Sequence, residues 1–407
     1  MPSALSHLRV LDLSRVLAGP WSSQMLADMG AEVIKVERPG TGDDTRDWGP
    51  PFLKDKNGND THESAYFLSA NRAKKSLTLD ISKPEGQEII RRLAAISDIV
   101  IENFKVDGLK HYGLDYASLK KINPILIFCS ITGFGQTGPY AQYAGYDIMI
   151  QGMGGMMSVT GERDDKPGGG PMRVGVALTD IMTGMYATVA ILGALEYRHR
   201  SGEGQYIDLA LLDTQVAMLA NLSSSYLVSG EIPQRMGNAH STIVPYQAFE
   251  CADGYVILAV GNDSQFAKFC DIAQATEIKN DPRFATNSQR VKHRDVLVPL
   301  LEKIIRQRKR DDWLAALEAA GVPCGPINDM QHVFDNPQVK HRNVRVDAPH
   351  PLSGTAPMVA NPIKFSETPI EYHHSAPTLG QHTEVILRTL LDMRDDEIQA
   401  LRDNNII

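Results

Sequence analysis

The chain is predicted to adopt an α/β fold, in which helices cover a mostly parallel β-sheet. An apolar run at 8–13 predicts a buried strand, helical spacing over 21–29 ends at Gly30, and a second strand-like run spans 31–37. Two parallel strands joined by a helix form a βαβ unit, which is typical of layered α/β folds. The same alternation continues with strands predicted at 76–79, 99–102, 125–131 and 205–211.

The second half of the chain departs from this alternation. A β-hairpin is predicted at 246–250 and 255–260, and helices follow at 264–273, 294–307 and 310–320. A chain of 407 residues also exceeds the size at which one core stops growing. We therefore expect a second, smaller domain between about 220 and 330.

Composition excludes several classes of protein. Apolar residues make up 43% and charged residues 22% of a chain with net charge −8, which fits a soluble protein and argues against nucleic acid or a membrane as partner. No secretory signal is visible, and the longest apolar run, 181–195, is shorter than a bilayer-spanning helix. The four scattered cysteines form no CxxC pair, which fits a reducing cytoplasm, and no HExxH pattern predicts a metal site.

A carboxylate at the start of a long apolar helix is the first candidate for chemistry. Asp180 precedes a helix predicted over 181–197, on which small residues such as Gly184 and Gly193 recur. Unpaired N–H groups and the helix dipole should keep this carboxylate ionised at neutral pH, as a nucleophile requires. An aspartate in this position is, however, more often a helix cap, and both interpretations remain open at this point.

A candidate ligand site lies where the predicted strands end. Val16-Leu17, Arg38, Asn103-Phe104 and Thr132-Gly133 each follow a strand, and ligands of open parallel sheets bind beyond the carboxyl ends of strands. Cations and tight turns at one crevice indicate a phosphorylated, adenine-like ligand. The first loop lacks GxGxxG, which argues against NAD. Segment 38–63, which is rich in Gly, Pro, Asp and Asn, and the basic stretch 71–75 are both expected to be solvated surface loops.

Seven motifs occur along the chain in this order: VLDLSRVLAGPWSSQMLADMGAEVIKVERPGTGD, KKSLTLD, IENFK, SITGFGQTGPYAQYAGYD, GVALTDIMTGMYA, GVPCGPI and LGQHTEVIL. In these motifs and their order the chain resembles, along almost its whole length, the type III CoA-transferases, the family of formyl-CoA transferase, carnitine CoA-transferase and α-methylacyl-CoA racemase. The resemblance implies a Rossmann-like large domain, an inserted smaller α+β domain and an interlocked homodimer, with domain boundaries at 1–220, 221–328 and 329–407.

The resemblance also implies a mechanism and a set of site residues. Asp180 would be the nucleophile that carries CoA as a thioester, supported by Tyr146 and Asp147. CoA and acyl-CoA would be substrates, with no tightly bound cofactor. The CoA-binding residues would be Val16, Arg38, Ala73, Lys74, Lys75, Asn103, Phe104 and His111, and the substrate-binding residues Arg15, Leu17, Gly237, Asn238 and His240.

Several positions depart from the family pattern, and these differences restrict which reaction of the family is expected. Leu17 replaces a glutamine and Gly237-Asn238-Ala239-His240 a tetraglycine loop, which argues against formyl or oxalyl transfer. His111 replaces an arginine that would contact a phosphate of CoA. Tyr146 replaces the histidine base of the racemases. The expected activity is CoA transfer from an acyl-CoA such as succinyl-CoA to a dicarboxylate; racemisation or non-catalytic CoA binding are the alternatives. Candidate cations for the far carboxylate are Arg15, Arg72, Arg173 and His240.

Overall fold

The computed structural model describes residues 3–407. The chain divides into two compact units. The large unit contains the residues up to Gly155, Val174–Ser224 and Pro337–Ile407, and the small unit contains Met156–Arg173 and Ser225–Asn336.

The strands of the described range fall into four sheets. Six of them form one parallel sheet in the large unit, in the order β5-β2-β1-β6-β7-β8. The strand order reverses between β1 and β6, so the loops that follow these two strands leave in opposite directions and open a crevice. The strands are β1 Arg9–Asp12, β2 Glu32–Glu37, β3 Phe52–Lys54, β4 Asp60–Ser64, β5 Lys75–Thr78, β6 Ile99–Glu102, β7 Ile127–Thr132, β8 Tyr206–Ala210, β9 Tyr246–Cys251, β10 Gly254–Ala259, β11 Cys324–Pro326, β12 Arg345–His350 and β13 Gly354–Val359.

Helices cover both faces of the parallel sheet. Alternate residues of each strand point to opposite faces, so Leu11 and Val100 join one apolar core while Val10 and Ile99 join the other. The α-helices of the described range are Ala18–Asp28, Ala65–Ala70, Pro84–Ala95, Tyr116–Ile122, Asp147–Met153, Met156–Val159, Leu178–Ser201, Leu211–Met218, Ala220–Ser229, Asp263–Ile272, Thr276–Asn280, Asn287–Lys292, Arg294–Ile305, Arg310–Ala319, Met330–Asp335, Pro337–His341, Thr383–Leu391 and Asp395–Asp403.

Leu178–Ser201, which we call the central helix, is longer than predicted. Its 24 residues are long and apolar enough to cross a membrane, by length and composition only, so the expectation that this segment is too short was wrong. The expectation counted only the unbroken apolar run at 181–195 and not the whole helix. The helix packs on helix Ala18–Asp28 through Gly184, where an added Cβ would lie 2.6 Å from the carbonyl oxygen of Ala18. Gly193, by contrast, faces open space, so only part of the small-residue face serves close packing.

Two polar segments that were expected to be solvated loops carry buried structure. Segment 38–63 contains the hairpin β3–β4, and Arg46 in its first part lies buried against Glu37 and Glu63. In the basic stretch 71–75, Arg72 pairs with Asp28 and is 6% exposed. These expectations were wrong because the cations meet buried carboxylates from distant parts of the chain, which local sequence does not reveal.

The small unit begins earlier in the chain than the domain prediction placed it. Segment 156–173 was assigned to the large domain, but Gly237 donates to the carbonyl oxygen of Gly161 at 3.0 Å and Arg163 pairs with Asp295 at 3.1 Å. The segment therefore belongs to the small unit, together with the three-stranded sheet β11-β10-β9 and a core around Phe269.

Candidate active site

Asp180 lies in the first turn of the central helix, half-buried, but it does not cap the helix. The N-cap position is Ala177, and the cap is supplied by Asp147 from another helix. Oδ2 of Asp147 accepts from the backbone N–H of Thr179 at 2.9 Å and of Asp180 at 3.4 Å. The helix-cap interpretation of Asp180 was therefore wrong, because Asp147 already occupies the free N–H groups.

Asp147 is held in place by side chains and by a close backbone contact. Its Oδ1 accepts from Nε2 of Gln151 at 2.7 Å, and Oε1 of Gln151 accepts from the backbone of Val174 at 2.9 Å. Two residues earlier, Gly145 packs against Gly133 so closely that a Cβ on Gly133 would lie 2.6 Å from the Cα of Gly145. This contact ties the loop before Asp147 to the carboxyl end of β7.

The Asp180 carboxylate has an electrostatic environment unlike that expected from sequence. Burial, and then the negative charge of Asp147, raise the pKa of Asp180 to about 7. Within residues 3–407, no hydrogen bond to this carboxylate compensates for burial. The expectation of a fully ionised carboxylate was wrong, because the N–H groups that would stabilise it bind Asp147 instead.

Tyr66 lies within electrostatic range of Asp180, which the sequence did not indicate. Burial, followed by the charges of Asp180, Asp147 and Asp43, raises the pKa of Tyr66 to about 12, so its hydroxyl stays protonated within electrostatic range of the nucleophile. Trp48 packs edge-on against the Tyr66 ring, with centroids 5.0 Å apart. No spacing rule links these aromatic residues to Asp180, so only the fold brings them together. Tyr146, in contrast, is 64% exposed.

A cavity of about 830 Å³ opens at the carboxyl ends of β1, β2, β5 and β6, where the ligand crevice was predicted. Its volume is suitable for a small-molecule ligand. Three of the residues singled out from sequence line it: Arg15, Arg38 and Phe104. The remaining lining residues are Leu13, Ser14, Lys35, Val36, Glu37, Pro39, Gly40, Thr41, Gly42, Asp43, Asp44, Leu79, Asp80, Ile81, Ser82, Tyr112, Asn405 and Ile407.

The predicted CoA residues Ala73, Lys74 and Lys75 do not line this cavity. They lie at the amino end of β5, whereas the cavity is lined by Leu79–Ser82 beyond its carboxyl end. The ammonium group of Lys74 is fully buried and donates to Asp12, to the carbonyl of Pro20 and to Asn71, which uses all three of its protons. Burial lowers the pKa of Lys74 to about 8 despite Asp12. Lys75 pairs with Glu32 at 2.5 Å.

Three other predicted residues, Asn103, Leu17 and His111, do not line the cavity. The side chain of Asn103 bonds to the backbone of Arg15, Oδ1 accepting at 3.0 Å and Nδ2 donating at 2.7 Å. Leu17 is buried at the N-cap of helix Ala18–Asp28. His111 is exposed on a 3₁₀ turn of which Tyr112, and not His111, faces the cavity.

The predicted substrate loop Gly237–His240 lies in the small unit. Gly237 has φ +59, and the backbone N–H of His240 donates to Tyr246 at 2.9 Å. Asn238 lines a separate cavity of about 590 Å³ within this unit, beside Arg163 and Arg294. No cluster of three or more potential metal ligands was found in the described part of the chain.

Comparison with known proteins identifies the family. The model of CoA-transferase family III matches residues 5–383. Succinate--glutarate CoA-transferase of Agrobacterium fabrum is 51% identical, covering 95% of both chains. Succinyl-CoA:glutarate CoA-transferase of Homo sapiens is 42% identical, covering 99% of this chain and 90% of that protein. A solved CAIB/BAIF family protein of Brucella suis, 51% identical, superimposes with a TM-score of 0.85 over 96% of this chain and 100% of its own. The chain belongs to CoA-transferase family III.

Proposed function

We propose that the chain transfers CoA from succinyl-CoA to a second dicarboxylic acid, with glutarate as the first candidate, through a CoA thioester on Asp180. The observation that carries the proposal is the half-buried Asp180 carboxylate, which has no counter-charge and no hydrogen bond among the described residues. The names of the relatives at 51% and 42% identity support the choice of donor and acceptor.

The proposed chemistry consists of two reciprocal exchanges. The Asp180 carboxylate attacks the thioester carbonyl of succinyl-CoA, the C–S bond breaks, and a mixed anhydride and CoA thiolate form. The thiolate attacks the aspartyl carbonyl and expels succinate, which leaves the aspartyl-CoA thioester. The acceptor carboxylate then attacks that thioester, and the released thiolate attacks the acceptor carbonyl of the second anhydride. Acyl-CoA leaves, Asp180 is regenerated, and no proton is consumed.

The surroundings of Asp180 suit this role. A carboxylate with few stabilising partners is a stronger nucleophile than one that accepts several hydrogen bonds, since its pKa is higher. Asp147 would fix the turn and raise the pKa of Asp180 by its charge. The protonated hydroxyl of Tyr66 is a candidate donor to the oxyanion that forms when the thioester or anhydride carbonyl is attacked.

A dicarboxylate acceptor requires a cation for its far carboxylate, and the four sequence candidates differ in availability. Arg72 is excluded because its guanidinium is buried and paired with Asp28. Arg15 is exposed, lines the large cavity, and pairs with Asp44 across an exposed contact that a substrate carboxylate could replace. Arg15 is therefore the preferred candidate, ahead of Arg173 and His240, which do not line that cavity.

We also propose the architecture that the resemblance implied: a Rossmann-like large domain, an inserted small domain and an interlocked homodimer in the cytoplasm. The strand order β5-β2-β1-β6-β7-β8 supports the first part. Exposed apolar residues on the central helix, Tyr186 at 44% and Val189 at 63%, support an interface on that helix. CoA and its thioesters would act as substrates, without a tightly bound cofactor, nucleic acid or membrane.

The test is CoA transfer from succinyl-CoA to a panel of C4–C6 dicarboxylic acids, with monocarboxylic acids of equal length as matched acceptors. We expect acyl-CoA products from the diacids and much less from the monoacids. Arg15→Ala should raise the KM for the diacid more than it changes kcat. Absence of transfer to every diacid, with folded protein, would contradict the proposal. Equal use of diacids and monoacids would contradict the assigned substrate class.

A further inference from the structure

Val16 has a strained backbone at the edge of the large cavity. Its φ is +71°, a region that a β-branched residue rarely adopts. Strain of this kind persists where the surrounding structure enforces it. Val16 lies between Ser14 and Arg15, which line the cavity, and helix Ala18–Asp28, which packs against the central helix.

Three side chains hold the backbone at and before Val16, and we call them the loop clamp. Both carboxylate oxygens of Asp43 accept from the N–H of Val16 at 3.3 Å. The amide of Asn103 makes the two bonds to the backbone of Arg15 described above. The ammonium of Lys35 joins Asp43, at 2.8 Å, to the carbonyl of Ser14, at 2.9 Å. The clamp thus fixes three consecutive residues through side chains from three separate segments.

Asp43 and Lys35 form the rigid part of this clamp. Their side chains are each 1% exposed, and Asp43 also accepts from the backbone and hydroxyl of Thr45. Asn103 is the part of the clamp that a mutation can remove with least disturbance, since it is half-buried and carries no charge. Removing Asn103 would release one side of the strained turn without leaving a buried ion unpaired.

We propose that the loop clamp positions residues 14–16 for acyl-CoA binding, by holding Val16 in a conformation that it would otherwise leave. The inference rests on the proposed function, because CoA is taken as the ligand of this cavity. It makes Asn103 and Asp43 positioning residues. Asn103 acts through the backbone of Arg15, and Val16 lies outside the cavity lining, in contrast to the direct CoA contacts that the family resemblance implied for both residues.

Glycine at position 16 provides the test, because glycine adopts positive φ without the steric cost. CoA affinity would be measured by isothermal titration calorimetry for the wild type, Asn103→Ala, Val16→Gly and the double variant. We expect Asn103→Ala to weaken CoA binding about tenfold, the effect of one or two lost hydrogen bonds. Val16→Gly alone should change CoA affinity by less than about threefold. The double variant should bind CoA to within about threefold of wild type, because glycine adopts the positive φ without the clamp.

Asp392→Gly is the matched control, because Asp392 also has positive φ, at +51°, but caps helix Thr383–Leu391 away from the cavity lining. When it is combined with Asn103→Ala, Asp392→Gly should leave CoA affinity as low as in Asn103→Ala alone. Three results would overturn the inference: wild-type affinity in Asn103→Ala, a loss that Val16→Gly does not reverse, or equal rescue by Asp392→Gly. If the wild type binds no CoA, the proposed function falls and this inference with it.

Discussion

Two groups of buried carboxylates in the large unit differ in their partners. Burial alone would raise the pKa of Asp43, but Lys35 at 2.8 Å and the hydrogen bonds of Thr45 lower it to about 2. Burial raises the pKa of Asp180 to about 7, and its charged neighbour, Asp147, is another carboxylate that raises it further. Burial is common to both, and the sign of the nearest charge decides the direction of the shift.

The difference separates a structural carboxylate from a reactive one. The ion pair and hydrogen bonds of Asp43 stabilise its charged form, so Asp43 is an unreactive ion that anchors a loop. Asp180 is left without compensation in the folded protein, which destabilises its charged form and favours bond formation with an acyl carbon. The charged form of Asp180 therefore lowers the stability of the folded protein, whereas the charged form of Asp43 does not.

Removal of the reactive carboxylate should have the largest effect. Asp180→Ala should lower kcat for CoA transfer by about 10³-fold or more, because covalent catalysis has no substitute for its nucleophile. The matched control is Asp396→Ala, which removes an exposed carboxylate that pairs only with neighbours on the surface. Steady-state transfer assays on both variants check this prediction. Activity retained in Asp180→Ala would contradict the assigned nucleophile.

Removing the buried arginine that pairs with Glu37 and Glu63 should affect stability more than catalysis. Arg46→Met leaves Glu37 and Glu63 buried without their counter-charge, which should lower the free energy of unfolding by about 3–5 kcal/mol. Arg394→Met removes an exposed arginine and should lower the free energy of unfolding far less. Urea denaturation at pH 7 distinguishes the two. Equal losses would show that the buried cluster is not held by its ion pairs.

Neutralising the reactive carboxylate should stabilise the protein. The pKa of Asp180 is about 7 in the folded protein and 3.8 as an ordinary value, so deprotonation opposes folding as pH rises from about 4 to 7. At about 1.36 kcal/mol per pKa unit, Asp180→Asn should gain on the order of 2–4 kcal/mol at pH 8 and almost nothing below pH 4. Denaturation at both pH values checks the sign. A loss of stability at pH 8 would contradict the unpaired environment.

The like charge of Asp147 should produce the smallest effect. The log of kcat/KM should rise with pH up to about 7 and then level off, because the carboxylate form of Asp180 is the nucleophile. Asp147→Asn removes the neighbouring charge and should move this midpoint down by about one unit. A pH profile of kcat/KM for both proteins gives the comparison. An unchanged midpoint would assign the raised pKa to burial alone.

Local patterns predicted much of the framework. The apolar runs led to β1, β2 and β6, and β6 was predicted with its observed boundaries, 99–102. The resemblance pointed to Asp180 and Asp147, but the hydrogen bonds by which Asp147 caps the central helix, and the presence of Tyr66, follow only from the fold. The sequence also did not show that Lys74 and Lys75 lie outside the cavity lining. Strand direction decides which end of β5 faces the cavity, and a basic stretch in the sequence does not show this.

The central claim is that Asp180 carries CoA covalently. Incubation with succinyl-CoA, acid quench and intact-mass spectrometry, followed by peptide mapping, would test it directly. The account predicts a mass increase of one CoA less one water, located at Asp180, absent from Asp180→Asn and lost on adding glutarate. CoA transfer by a protein that never carries this adduct, or an adduct on another residue, would contradict it.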